Sequence, residues 1–336
     1  MTTFKEIRGT TIEVVSTDPT NPETGQIWYN SSSGTLKGYG ISVPGSFSSG
    51  GTMNSGRASL TGFGTQTAAV GAGGYFPGYF SSAESYNGSS WTSITGLPAG
   101  RSLAAGVGTQ TAGLVMGSDP ISIGTSALTY NGSTWTSSPS LGTAFYAGGA
   151  SGNQTAALKF AGVGPGGTTN SATESYNGSS WTAVNSLNIA RRYSNGTGTQ
   201  TAALCASGYS PTYPTGTAVT ESWNGTSWTN LGNMVNTRYG YAGSMFGSQT
   251  VAYYAGGTLA SPPGAITNLV ESWNGSAWSN NPSTLASGRT ASYKSTQPGS
   301  ETAGLVFGGY NPAFPSRGLT EAWNGPSIQT KTLTVS

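Results

Sequence analysis

The chain has 336 residues, a formal net charge of +2, and only 7% charged residues, with no clustered Lys or Arg to suggest nucleic-acid binding. Its single cysteine, Cys205, excludes an intrachain disulfide framework, and its apolar setting (Ala202-Ala203-Leu204-Cys205-Ala206) reads as that of a small buried hydrophobe. The lack of histidine removes Ser-His triads, His-based acid–base chemistry and His metal sites, and without further thiolates neither a zinc or copper site nor any other cofactor is expected.

Residues 1–50 lie outside any repeat and hold seven charges within the first 37 positions. The start, Met1-Thr2-Thr3-Phe4-Lys5-Glu6, has no apolar h-region, and no stretch is long enough to span a bilayer, so neither a secretion signal nor membrane insertion is expected. Thr11-Ile12-Glu13-Val14-Val15 predicts a short strand and Asp18-Pro19-Thr20-Asn21-Pro22 a turn. Residues 25–30 and 34–39 bracket Ser31-Ser32-Ser33 as a small hairpin, which reads either as a degenerate copy of the repeat that follows or as extra strands.

From residue 51 a phrase of an aromatic, Asn-Gly and a later apolar residue recurs six times, with its Asn at 87, 131, 177, 224, 274 and 324. Tyr86, Tyr130, Tyr176, Trp223, Trp273 and Trp323 precede the Asn, and Trp91, Trp135, Trp181, Trp228, Trp278 and Ile328 follow it. Steps of 44 to 50 residues mark an array of supersecondary units that cannot bury their apolar faces alone. A second phrase, Gly-Thr-Gln-Thr-Ala or a variant, keeps step at residues 64–68, 108–112, 152–156, 198–202, 247–251 and 299–303. It suits a hairpin between a first and a buried second strand, and Asn-Gly suits a type I′ turn between the third and fourth. The expectation is an all-β fold, a six-bladed β-propeller of four-stranded blades behind a small β-rich N-terminal segment. The blades are expected at residues 57–97, 101–141, 143–187, 191–231, 238–285 and 289–336. The last copy carries its own third and fourth strands (319–335), so the ring is expected to close without an N-terminal strand.

The glycine pairs Gly73-Gly74, Gly256-Gly257 and Gly308-Gly309, each followed by a variable loop, an aromatic and a Trp or its substitute, resemble Kelch-type β-propellers over residues 57–336. Repeats two to four depart from the pattern with Gly117-Ser118, Ala161-Gly162 and Ser207-Gly208. Residues 18–39, with Asn21-Pro22, Gly25-Gln26-Ile27-Trp28-Tyr29-Asn30 and Leu36-Lys37-Gly38-Tyr39, resemble N-terminal segments of tailed-bacteriophage tail fibres and related virion proteins. That resemblance implies an attachment module (1–50) that meets other virion proteins, followed by a display domain (51–336). It also implies a virion location, and homo-oligomerisation is compatible with it.

Glu84, Glu174, Glu221, Glu271 and Glu321 stand three residues before the Asn of their repeats, and Arg57, Arg101, Arg191, Arg238 and Arg289 open repeats. Repeat two lacks the Glu (Leu128) and repeat three lacks the Arg. Pairing each Glu with the Arg of the next repeat turns the two gaps into one missing pair. Interblade ion pairs are therefore expected: Glu84–Arg101, Glu174–Arg191, Glu221–Arg238, Glu271–Arg289 and Glu321–Arg57. The spare acids Asp119 and Glu301 fall in different repeats, so paired-carboxylate hydrolysis is not expected and the protein is read as a non-enzyme. Binding is expected on the variable loops after the second strands, through Tyr75, Phe76, Tyr79, Phe80, Tyr209, Tyr213, Tyr310 and Phe314, with a host-surface glycan or receptor, or another virion protein, as ligand. A purely structural virion subunit is the alternative, and a glycan-cleaving propeller the third reading.

Overall fold

A computed structural model describes residues 12–23, 25–75, 77–212, 216–238, 243–260, 264–289, 293–294, 301–311 and 318–333. The chain divides into two units, residues 46–324 and residues 1–45 with 325–336.

In the larger unit the repeats form six four-stranded antiparallel sheets. In the first sheet Thr61–Gly64, Ala69–Ala72, Ala83–Tyr86 and Trp91–Ile94 pair in sequence order. The next four sheets keep that order. The first strands touch one another in a closed circuit: Thr61–Gly64, Ala105–Thr109, Gly149–Gly152, Asn195–Gly198, Ser244–Gly247, Tyr293–Lys294 and back to the start. This is a multi-bladed β-propeller with the first strand of each sheet innermost. Small residues permit the close approach at the centre. A Cβ at Gly106 would lie 2.5 Å from the Thr61 hydroxyl oxygen, and one at Gly196 would lie 2.2 Å from the Phe160 ring. The apolar core is split into six clusters, each seated mainly between successive sheets. Phe63, Val70 and Leu97 of the first repeat, for instance, pack against Val115, Leu128 and Tyr130 of the second. No blade buries its faces alone, as the period implied.

The last sheet departs from expectation. Its outer strand is Ser46–Ser49, paired antiparallel with Thr320–Asn324, so the ring does close on an N-terminal strand. Ser327–Thr332 instead pairs with Thr35–Val43 in the smaller unit. The cause lies in Asn324-Gly325-Pro326. In the other repeats the Asn side chain accepts the N–H groups two and three residues on, as Asn87 does from Ser89 (3.0 Å) and Ser90 (2.9 Å). Proline has no N–H to give at the first of these positions, so the turn is not made. Residues 46–50 thus leave the expected N-terminal segment for the ring, and 325–336 leave the ring.

The Asn-Gly turns also differ from the expected type I′. Tyr86 pairs with Trp91 across a four-residue loop, and of Asn87 and Gly88 only the glycine takes a positive φ (94°). The Asn works through its side chain, as an Asx turn, rather than through a left-handed backbone.

The expected interblade ion pairs are not formed. Each Glu pairs within its own sheet: Glu84 with Arg57 (2.9 Å), Glu271 with Arg238 (2.9 Å), Glu221 with Arg191 and Glu321 with Arg289. Repeat three, which lacks the Arg, supplies Lys159 instead, directly across the ladder from Glu174 and 3.0 Å away. Among the described residues Arg101 has no carboxylate partner. The reason is that each Glu also caps the segment entering its own sheet. Glu84 accepts the N–H of Asn54 (2.7 Å) and Ser55 (3.2 Å), and Glu174 that of Gly142 (2.7 Å).

Uncharged groups join the blades. The Gln of the Gly-x-Gln turn donates to main-chain carbonyls of the preceding sheet: Gln110 to Ala69 and Tyr86, Gln154 to Gly113 and Tyr130, Gln249 to Ala203 and Trp223. Gln66 closes the circuit onto the carbonyl of Trp323 (2.6 Å). The fourth-strand Trp also reaches back one sheet, Trp278 Nε1 to the Thr220 hydroxyl (2.8 Å) and Trp91 Nε1 to that of Thr320 (2.9 Å).

In the smaller unit Glu13–Val15 runs parallel to Ile27–Asn30, which makes the expected hairpin with Thr35–Val43. The parallel pair sets this sheet apart from the antiparallel blades. Asp18 is its organising group, accepting from Trp28 Nε1 (3.0 Å), Asn30 Nδ2 (2.7 Å) and Lys37 Nζ (2.6 Å). The Lys37, Asn30 and Trp28 hydrogen bonds hold its carboxyl down at about 2.

Candidate functional site

The two ends of the blades differ in kind. One end carries the near-identical Gln and Asn-Gly turns. The other carries the entry to each first strand and the variable loop after each second strand, so side-chain variety is concentrated there. Two positions per repeat meet at its inner rim, as short backbone bridges show: Ala58 with Tyr75, Ser102 with Asp119, Tyr146 with Val163, and Arg192 with Tyr209. Just inside them, Ser59, Leu103, Ala147 and Tyr193 all take a left-handed backbone, with φ between 52° and 57°. Each N–H of the last three donates to the carbonyl of the one before: Leu103 to Ser59, Ala147 to Leu103, and Tyr193 to Ala147 (2.8, 2.8 and 2.6 Å). This chain of hydrogen bonds sets Ser102, Tyr146 and Arg192 side by side on successive blades.

Of the aromatics singled out from sequence, Tyr75 and Tyr79 come together as an edge-to-face pair with ring centroids 5.2 Å apart, 43% and 44% exposed. Phe80 is half-buried, its N–H bonded to Gly74 and its carbonyl to the N–H of Arg101. Tyr209 lies beneath the Arg192 guanidinium, 4.6 Å from ring centroid to charge, with the Tyr193 ring 5.7 Å away. Tyr310 stands 36% exposed at the equivalent place in the last repeat. Phe76, Tyr213 and Phe314 lie outside the described residues.

The structure adds residues that sequence reasoning did not assign to this face: Asp119, Tyr146 and Arg192. Burial raises the Tyr79 hydroxyl above its ordinary value, and the neighbouring Asp119 carboxylate raises it further. Tyr146 is raised by burial and then by Asp119, with Arg192 acting in the opposite sense. A carboxylate, a cation and two phenols therefore share one rim. Their signal was available in the phase of the repeat. Tyr75, Asp119, Val163, Tyr209 and Tyr310 each follow the glycine pair or its counterpart, Ser102 and Arg192 follow the repeat-opening Arg, and Tyr146 holds the same phase in the repeat between them. Glu301 sits instead at a turn of the opposite end, its carbonyl accepting from Trp323 Nε1 (3.3 Å), so the two spare acids are not brought together. Among the described residues no three His, Cys, Asp or Glu stand close enough to hold a metal ion, and no helix is long and apolar enough to cross a membrane.

No family model matches the chain. No curated protein matches it either. Among solved structures the chain is similar to YjhT, with 13% identity and a TM-score of 0.61, over 83% of this chain and 99% of that one. At that identity the likeness is one of fold, and it agrees with the propeller seen in the blades.

Proposed function

We propose that the protein is a virion-associated, non-enzymatic binding protein whose Kelch-like propeller presents its loop face to a host-surface glycan or receptor. In this reading residues 1–45 attach it to other virion proteins. The observation that carries the binding role is the exposed Tyr75–Tyr79 pair on a rim held by a rigid ring. Tyrosines of this kind offer large contact area at low entropic cost and an apolar face for a sugar ring. The attachment role rests on the resemblance of residues 18–39 to tail-fibre segments. Within that stretch Asp18, Trp28, Asn30 and Lys37 form one hydrogen-bonded knot.

The test is binding of the full chain to a glycan array and to bacterial cells, beside a Tyr75→Ser, Tyr79→Ser double variant. Loss of binding in the variant places recognition on the loop face. Absence of binding by both forms favours the second reading, a structural virion subunit. The exposed Val14 (66%) beside Tyr29 (39%) on adjacent strands suits that role as an assembly contact.

A further inference from the structure

Resting on the reading of the loop face as a saccharide-binding surface, we infer that the ligand seat is the inner rim formed by Tyr79, Asp119, Tyr146 and Arg192, and that it takes an uncharged pyranoside. These residues come from four successive repeats. The bridges Ser102–Asp119 and Arg192–Tyr209 and the hydrogen-bond chain through Leu103, Ala147 and Tyr193 bring them onto one rim. Tyr79 reaches the second blade by packing over Gly100, where an added Cβ would lie 2.8 Å from the Tyr79 carbonyl oxygen and 3.0 Å from its Cβ.

Within this rim the Tyr79 hydroxyl is hydrogen-bonded to the Asp119 carboxylate, which keeps further acceptor sites open. Asp119 and Arg192 each lack a salt-bridge partner among the described residues, although every repeat-opening Arg but one has found its carboxylate. Arg192 is held by stacking on Tyr209, and its Nε has no hydrogen-bond partner among the described residues. Asp119 is an acceptor only and Arg192 a donor only, while the Tyr79 and Tyr146 hydroxyls do both.

A ligand with a net charge would gain at one of the two charged groups and lose at the other. A neutral ligand with neighbouring hydroxyls can donate to Asp119 and accept from Arg192 without that loss. Its C–H face can lie on a tyrosine ring. Opposite charges on one rim therefore select for a polyhydroxylated ring rather than for an acid or an amine.

The experiment titrates the full chain with an array of uncharged and uronic-acid glycans, and repeats it with Asp119→Asn, Tyr146→Phe and the Tyr75→Ser, Tyr79→Ser double variant. Each form is checked for an unchanged melting temperature. The expected result is preference for uncharged glycans, with affinity about tenfold or more lower in Asp119→Asn, as loss of a hydrogen bond to a charged group implies. Glycan binding by the unaltered chain with unchanged affinity in both Asp119→Asn and Tyr146→Phe would remove the ligand from this seat and leave the loop-face reading standing. Preference for uronic acids would overturn the uncharged class. Absence of glycan binding by every form would overturn both readings.

Discussion

Arg101 is the residue at which the repeat's charge pattern fails. Where other repeats place a Glu, the second has Leu128, paired across the ladder with Val115. The N–H that such a Glu would cap is also missing, because Pro98 holds the position of Asn54 and Asn188. Arg101 is nevertheless 3% exposed, its Nε and Nη1 have no partner among the described residues, and burial pulls its guanidinium down to about 10. Replacing an unpaired buried charge by a hydrophobe of similar length removes its desolvation cost, so Arg101→Met is expected to stabilise by roughly 1–4 kcal/mol in urea unfolding. The folded state holds this proton more weakly than the unfolded chain does. The penalty is therefore complete below about pH 10, and the gain from Arg101→Met should shrink as pH rises through that value. Glu221→Gln should do the reverse at neutral pH, costing about 3–5 kcal/mol because it strands Arg191 in the interior. The charged residues of these pairs were legible in the sequence, but their partners were not. The gaps at Leu128 and in repeat three fitted a single missing interblade pair, whereas pairing within repeats left Arg101 and Glu174 unmatched, and only the ladder shows Lys159 opposite Glu174.

At the scale of elements, the turns carry the joints between blades. The sixth turn breaks the pattern, with Glu301 in the place of Gln66, Gln110, Gln154, Gln200 and Gln249. A carboxylate cannot donate to the carbonyls that a carboxamide reaches, and Glu301 is exposed. Glu301→Gln is therefore expected to add the missing joint and raise stability by about 1 kcal/mol, read as a higher melting temperature. A related gain is available at Ala161, which takes φ of 62° where the first, second, fifth and sixth repeats have glycine. Ala161→Gly should relieve about 1 kcal/mol of left-handed strain. Strand identity was legible from the two phrases because both are locally encoded by turn residues, with an apolar run after the first. The joints were not, since a Gln in a turn looks solvent-exposed until the neighbouring carbonyls are placed beside it.

For the whole molecule, the closing strand decides where the propeller begins. A chain starting at residue 51 lacks Ser46–Ser49 and leaves the Thr320–Asn324 edge open, with Trp323 stripped of Phe47, its neighbour at 5.0 Å. Such a chain is expected to melt at a lower temperature and to self-associate through that edge in size-exclusion chromatography. Residues 46–324 should keep both the melting temperature and the solubility that the residue-51 chain loses. The sequence showed six copies and hence the ring, but not its seal. Pro326 reads as a minor variation until the hydrogen bonds of the other Asn turns show what it forbids.

The seal also sets an order of events in time. Ser48 and Ala322 meet across 274 residues of chain. At ribosomal speeds the early strand must wait roughly 15 to 55 s for its partner to be made. A nascent chain halted before residue 320 would hold five complete blades and no lock. Circularity here is a property acquired only after synthesis has passed the final repeat.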